Sequence, residues 1–586
     1  MPNIPTFSPA KPNENIIVCL WMTFCFLALA YKLGELPPYH ADENFYVESS
    51  LRMVEAGDYI TPVYNEKNRF AKPILYYWMV VSSFKVFDVS LFSARLPSVI
   101  FGTLSIGLIY LLGKKLFNKR VGLFSAFILP SIYLHFQISR WSTTDMGLSF
   151  FILLSLYIFV LLYGTNFNKK SFSYLFYLSL GLGFMIKGPP AILIPGLTIF
   201  GFFILTKRRN CFYDLRIFEG LIILSIIILP WFMAMYWMHG EEFKNHILGN
   251  EIRGRLVHDT PFSFYYVGVL LRYQLPWSLF LLFLALKQCG IFEFVNQKGL
   301  SFKESLKTLN KNIKEYIMSI FREVNEPVAF CCIWIFVCLL LFTFLRIEHS
   351  RYMLPSCPAV AILAARVFSK MEENSWRKSF FGFWGIVIFT LFGFFIFFIL
   401  AGATIFQLES IPREIFFLPA FLLFGVISLA CYFWLKSLQK LVITLTFVMV
   451  VIFTSLSGDV LPFLNRYPMK KFANQINLEN FKGPIGIYQL GSHRARLGIL
   501  TGRTVVTLHS PDEVENFLRT RQKIYMVIKE SDWEKHFSKL ELNIINKDQI
   551  IKKSQTKINI SLSLWDLEKI QETLGLTETV YFLSNN

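Results

Sequence analysis

A chain of 586 residues that is 54% hydrophobic and only 17% charged is excluded from the ordinary soluble class, where about a quarter of residues carry charge. Its formal net charge of +18 does not point to nucleic acid, because Lys and Arg collect in short loops between apolar runs, as they do in the cytoplasmic loops of membrane proteins. The nine cysteines have no zinc or redox spacing, and no disulfide framework is expected.

The first 14 residues lack a cleavable-signal pattern, so the apolar run beginning at Ile16 reads as a span that stays. A helix needs about 20 mostly apolar residues to cross the hydrocarbon core. Thirteen segments qualify, roughly 15–33, 94–112, 121–138, 144–163, 171–187, 189–206, 217–238, 264–286, 327–345, 353–369, 379–401, 415–435 and 440–456. With the N-terminus inside, the inner loops are GKKLFNKR, NFNKK, TKRRNCFYDLR, the basic insert 287–326, KMEENSWRK and KSLQK, all rich in Lys or Arg. An error of one span would reverse every later loop and spoil that bias.

The first outer loop, 34–93, opens with YHADENFYVES. Asp42 reads there as an N-cap, for a helix from about Glu43 to Ala56 with Val47, Leu51 and Val54 on one face and Gly57 as its stop. Glu48 and Arg52 add an i,i+4 pair. Further on, GLGFMIKG has the glycines of a phosphate loop but no strand before it, which favours small residues packing two membrane helices. The insert 287–326 reads as a cytosolic amphipathic connector. Beyond residue 457 the chain turns polar. The runs PIGIYQL, TVVTL and KIYMVIK read as strands, and Ser510 with Pro511 as a helix start.

The expected fold is thus mainly α: a polytopic membrane protein of about 13 transmembrane helices, with juxtamembrane amphipathic helices in the first outer loop. Its parts are a cytosolic tail 1–14, a membrane domain 15–456 and a small outer α/β domain 457–586.

Parity puts Asp42, Glu43, Lys72, Asp145, Lys187, Arg253, Arg255, His258, Arg351 and Tyr352 at one outer surface. Charge beside hydrocarbon is costly, and it marks a pathway, a site or a partner. Each residue also has a plainer alternative. Asp145 follows Ser142, Thr143 and Thr144 as a helix start does; Lys72 and Lys187 can snorkel. Arg253 and Arg255 suit lipid phosphates, and His258 suits a structural role. Arg494, Arg496 and Arg503 suit either acceptor headgroups or a solvated basic loop.

The order of the motifs adds information. An acidic pair after the first span is followed by RFAKPILYYW, SARLPS, Asp145, GLGFMIKGPPAILIPG, NEIRGR with PFSFYYV and LPWSLF, and EHSRYMLPSCPAVAILAA. Over roughly residues 15–456 this succession resembles the C-type glycosyltransferases that use polyprenyl-phosphate sugars, particularly the bacterial lipid A aminoarabinose transferases and the protein O-mannosyltransferases. The resemblance implies a catalytic acid at Asp42 and a second essential acid at Asp145. It implies donor-phosphate contacts at Lys72 and Lys187, with Glu43, Arg253 and Tyr352 among the substrate-binding residues. Relatives carry a metal-binding Glu where this chain has Ala71, and a His in the neighbourhood of Ile252 and Arg253, so no metal ligands are assigned.

The function this implies is transfer of a sugar from undecaprenyl phosphate to lipid A or another envelope glycan, at the periplasmic face of a bacterial inner membrane. Its partners are the polyprenyl-phosphate donor, the acceptor and membrane lipids, without nucleic acid. Protein O-glycosylation is the alternative within the class, and a lipid-linked sugar transporter or flippase the alternative outside it. An inactive relative serving envelope assembly is a third.

Overall fold

The computed structural model describes residues 13–36, 41–167, 169–207, 214–254, 263–288, 326–346, 348–370, 438–460, 462, 468–490, 493–519, 523–538, 540, 542–551 and 577–585. Eleven of the apolar segments expected from hydropathy fall among them, and each is helical. The segments 379–401 and 415–435 lie outside the described residues, as do most of the insert 287–326, Arg255 and His258.

Helix α1 (Glu14–Ala30) leads to α2 (Ala41–Ala56), which spans the acidic stretch. A two-residue hairpin follows, β1 (Val63–Tyr64) with β2 (Lys67–Asn68), and then α3 (Leu75–Phe87). Helix α4 (Leu91–Leu116) starts with a Ser90/Ser93 capping box, which satisfies orphan donors at its first turn. The third apolar segment is broken into α5 (Lys119–Ile128) and α6 (Tyr133–Ser139), bent by 65° across a 3-10 turn that contains Pro130. Then come α7 (Thr144–Tyr163), α8 (Lys170–Lys187), α9 (Pro190–Leu205) and α10 (Ile217–Asn245). The eighth segment is likewise broken, into α11 (Tyr265–Tyr273) and α12 (Trp277–Gln288). Helices α13 (Glu326–Leu345), α14 (Cys357–Lys370) and α15 (Leu438–Ser455) complete the described bundle.

Among the described residues, six helices are long and apolar enough to cross a membrane, or seven when the bent pair α5–α6 counts as one span. Within the run Ile217–Glu251, only 11% of the most apolar 18-residue stretch is buried. The run presents Phe218, Ile226, Met233 and Trp237 outward, a surface that suits lipid rather than water. The chain is a multi-pass membrane protein. Inside the bundle, small residues bring helices together. A Cβ on Gly181 would meet Ile227 of α10 at 2.8 Å, and one on Gly183 would meet Phe151 of α7 at 2.9 Å. The first two glycines of GLGFMIKG, Gly181 and Gly183, therefore serve helix packing.

Beyond the bundle, α16 (Pro468–Leu478) precedes β3 (Ile485–Tyr488), α17 (His493–Thr501), β4 (Val506–Leu508), α18 (Pro511–Leu518), β5 (Tyr525–Lys529), α19 (Glu530–His536), β6 (Asn543–Ile551) and β7 (Thr577–Ser584). The sheet order is β4-β3-β5-β7-β6, with the first three strands parallel and the last two antiparallel to their neighbours. Phe472 of α16 stacks on Phe582, and with Ile485, Ile487, Tyr525 and Val527 they fill one face of the sheet. Ser510 caps α18, accepting from the Glu513 N–H, with Pro511 at the first helical position.

Candidate active site

Four elements converge at one end of the bundle. Helix α7 begins there and supplies Asp145 from its first turn. Helix α8 ends there on Lys187. Gly188 follows with φ +90° and ψ −146°, a backbone open essentially to glycine alone. The chain therefore reverses directly after Lys187, and Pro190 opens α9. The 3-10 turn Ser350–Ser356 brings in Arg351 and Tyr352. Helix α2 crosses this end and contributes Asp42. The helix starts at Ala41, so Asp42 is an acid of the first turn and not the capping residue the sequence suggested. Gly57, with φ +71°, ends it as expected.

The polar groups form a connected quartet. Lys187 Nζ donates to Asp145 Oδ1, and Arg351 Nε lies 3.4 Å from Asp145 Oδ2. Arg351 Nη2 donates to Asp42 Oδ2. Two carboxylates thus balance two cations. Asp145, Lys187 and Arg351 are buried, whereas the Asp42 side chain keeps 30% of its surface. Lys187 Nζ also sits 4.7 Å over the Tyr352 ring. Of the two acids, Asp42 is the more exposed, and Asp145 contacts both cations.

More charge surrounds the quartet. Arg69 stacks its guanidinium 4.0 Å over Phe45 and donates from Nε to the Tyr77 hydroxyl at 3.1 Å. Burial opposes its charge, but Tyr77, Tyr46 and Asp42 hold it above the ordinary arginine value. Tyr46, whose phenol burial pushes well up, lies 3.3 Å from the Thr144 hydroxyl and links α2 to the start of α7. Lys72 donates to its neighbour's carbonyl at 2.7 Å and lies 3.4 Å from Glu251. Glu251 belongs to the π-helical turn His246–Arg253, which follows a break in α10 at Gly240 (φ +51°).

The structure therefore brings Asp42, Asp145, Lys187 and Tyr352 together, with Lys72 on the segment beside them. Glu43, expected to bind substrate, is separate. It is fully buried, and both its oxygens take Arg95, at 2.7 and 2.9 Å. Oε1 also accepts the Ser142 N–H at 2.9 Å. Arg95 in turn donates to the Leu33 and Leu36 carbonyls, so Glu43 fastens α2 to the end of α1 and the start of α7. Arg253 is exposed, two residues beyond Glu251. Arg351 and Arg69 are the groups that motif matching passed over. Loop parity places Arg351 at the outer surface without a role, and the only signal for Arg69 is that it opens RFAKP. Among the described residues no three His, Cys, Asp or Glu side chains are grouped to hold a metal ion. With Ala71 beside Lys72, the residues here do not fit the metal site implied by the resemblance.

Residues 71–237 match the dolichyl-phosphate-mannose-protein mannosyltransferase family. An uncharacterised protein of Aquifex aeolicus is 25% identical over 81% of this chain and 85% of its own length. The undecaprenyl phosphate-alpha-4-amino-4-deoxy-L-arabinose arabinosyl transferase of Wigglesworthia glossinidia brevipalpis is 29% identical over 61% of this chain; the alignment spans 59% of that enzyme. In fold, the chain superposes on the crystal structure of ArnT from Cupriavidus metallidurans bound to undecaprenyl phosphate. The TM-score is 0.72 over 98% of this chain and 99% of that one, at 17% identity. In sequence and in fold the chain resembles the C-type glycosyltransferases of the aminoarabinose-transferase and protein-mannosyltransferase type.

Proposed function

We propose that this chain, a glycosyltransferase of the C-type fold, moves a sugar from undecaprenyl phosphate to lipid A or another envelope glycan at the periplasmic face of the inner membrane. The observation that carries the reading is the quartet: an accessible carboxylate, Asp42, held by Arg351 beside Lys187 and the buried Asp145. In the proposed step, an acceptor oxygen bonds to the anomeric carbon as the bond from that carbon to the phosphate oxygen breaks. The leaving polyprenyl phosphate passes from monoanion to dianion. Arg351 and Lys187, with Lys72 and Arg69 beside them, meet that growing charge where little water competes. For a hydroxyl acceptor, Asp42 accepts its proton. For a phosphate acceptor, which needs no base, Asp42 orients the attacking group.

Two further features support this donor. An apolar groove of about 570 Å³ runs between α3 and α4, lined by Leu75, Trp78, Met79, Val86, Phe87 and Ile100. It begins three residues after Lys72, so an isoprenoid tail in it would leave its phosphate near that amine. The named relatives are arabinosyl transferases that use undecaprenyl phosphate sugars. The family match to protein mannosyltransferases supports a protein acceptor as the second reading.

The test is transfer in proteoliposomes from labelled polyprenyl-phosphate sugars to an envelope extract, with mass spectrometry of lipid A, glycans and proteins from a deletion strain. A sugar lost from lipid A or a glycan supports the first acceptor, and one lost from protein supports the second. Full transfer by both Asp42→Asn and Asp145→Asn would remove the site assignment. Vesicle flux of the lipid-linked sugar without bond cleavage would move the protein to the transporter class.

A further inference from the structure

The C-terminal sheet has no part in the chemistry above, yet it touches the helix that carries Asp42. Helix α17 packs along α2. Arg494 Nη2 donates to Glu48 Oε1, and Thr504 Oγ1 donates to Glu55. Glu48 Oε1 also accepts the Asn65 N–H at 3.1 Å, and Arg52 Nε lies 3.9 Å away. Arg494 Nη1 is 3.7 Å from Glu66. Arg494 is 4% exposed and Glu48 7%. The cavity left between the two helices is only about 10 Å³. A solvated loop or a lipid-headgroup contact, both open for Arg494 from sequence, does not describe a guanidinium buried this way.

Helix α2 is gripped on two sides. Toward the bundle, Glu43 takes Arg95, and Tyr46 meets Thr144. Toward the sheet, Glu48 takes Arg494. Glu48 lies six residues beyond Asp42, about 9 Å along a helix axis. Without Arg494, Glu48 would be a buried carboxylate short of its principal cation. Rotating α2 to expose it is one way to relieve that cost, beside neutralising it or drawing on Arg52, and that rotation carries Asp42 away from Arg351.

We infer that Arg494 is a positioning residue: through Glu48 it sets the rotation of α2 at which Asp42 meets Arg351 and the acceptor. This rests on the proposed role of Asp42. The test uses the full chain in proteoliposomes and compares Arg494→Met, Arg494→Lys, and the pair Glu48→Gln with Arg494→Met. Hydrogen–deuterium exchange of 41–56 is measured alongside, with 144–163 as an internal reference.

Arg494→Met should lower kcat by about ten- to a hundredfold, as misplacement by an ångström or so does. KM for the donor should not rise, because Asp42 withdrawn from Arg351 no longer competes with the phosphate, and exchange across 41–56 should rise while 144–163 does not change. Arg494→Lys should keep kcat near wild type. The double variant, which removes the buried charge, should recover part of the loss. Unmoved exchange in 41–56, an unchanged kcat, or an equal loss in the Lys and Met variants would each overturn the inference. The exchange readout does not depend on transfer. Asp42→Asn, run in the same assay, tests the active-site reading separately: undiminished transfer there overturns that reading whatever α2 does.

Discussion

Lys187→Met offers a sharp test of how the quartet is built. In the wild type, Asp42 and Asp145 face Arg351 and Lys187, all but Asp42 buried. The substitution keeps most of the side-chain volume but leaves a buried carboxylate in excess. Removing one partner of a buried ion pair costs about 3–5 kcal/mol, most of it the desolvation of the charge left behind. Arg351, at 3.4 Å from Asp145, remains as a partner, so the low end of that range applies. Asp145→Asn alone leaves the opposite excess, two buried cations against one carboxylate. Combining the two substitutions restores neutrality, with Arg351 still bound to Asp42. The double variant should therefore lose less than the two single losses added together, with a coupling of about 1–3 kcal/mol, as for residues in direct contact. The assay is thermal loss of monodisperse protein in detergent, ranking the four proteins by midpoint. Wild type should lead, and the double variant's loss should fall short of the two single losses added. Strictly additive losses would refute a charge-balanced quartet. Transfer should be lost in the double variant, because the donor phosphate has lost a cation.

Glu43→Gln should lower stability by about 3–5 kcal/mol, since it breaks a fully buried pair with Arg95; the protein that remains folded should keep its KM for the donor. Gly188→Ala places a side chain at φ +90° with no atom within 4 Å of the new Cβ. The cost is then backbone strain of about 1–3 kcal/mol, read as a lower thermal midpoint. In the C-terminal sheet, hydrogen bonds from Tyr525 and then Lys523 hold Glu479 below the ordinary Glu value. A depressed carboxylate stabilises fully above its unfolded value and loses that contribution as pH falls through the folded one. Wild type and Glu479→Gln should therefore differ most at neutral pH and converge on acidification below the ordinary Glu range.

Helix positions along the chain were legible because hydrophobic length and loop charge are local properties. The expected segment 144–163 coincides with α7, and Ser510, Gly57 and the strand runs all took the forms their local chemistry implies. Breaks were less legible. The third segment divides at the extended Ile132, two residues after Pro130, yet Pro97 and Pro195 sit inside intact helices, so proline alone did not say where a span divides. Pairing was the hardest property to read. Nothing near Glu43 in the sequence shows that Arg95, 52 residues on, takes both of its oxygens. Nothing near Arg494 names Glu48, 446 residues earlier. Loop parity could gather charges at one membrane surface, but it could not separate a partly exposed carboxylate from one sealed inside the bundle. That separation needs the third dimension, and it is what distinguishes Asp42 from its neighbour Glu43.

The pairing of Asp42 with Arg351 has a further consequence for the order of events. In the proposed reading, the donor phosphate meets a guanidinium that already holds Asp42. On that reading, binding exchanges one anion for another at Arg351 and releases Asp42 toward the acceptor once a donor is in place. Asp42→Asn removes both the competitor for Arg351 and a charge that repels the phosphate. Two unit charges about 5 Å apart repel by about 3 kcal/mol at an effective dielectric of 20, and the surrounding cations screen part of that. The Asn variant should therefore bind undecaprenyl phosphate about ten- to a hundredfold more tightly, or about 1.4–2.8 kcal/mol, while losing turnover. Titration of the purified variant with undecaprenyl phosphate, followed by calorimetry or native mass spectrometry, measures this directly. Tighter binding with lost transfer identifies a carboxylate whose cost in ground-state affinity is recovered only in the transition state. Equal or weaker binding would mean that the phosphate does not use Arg351, leaving the Asp42–Arg351 contact as a structural clasp.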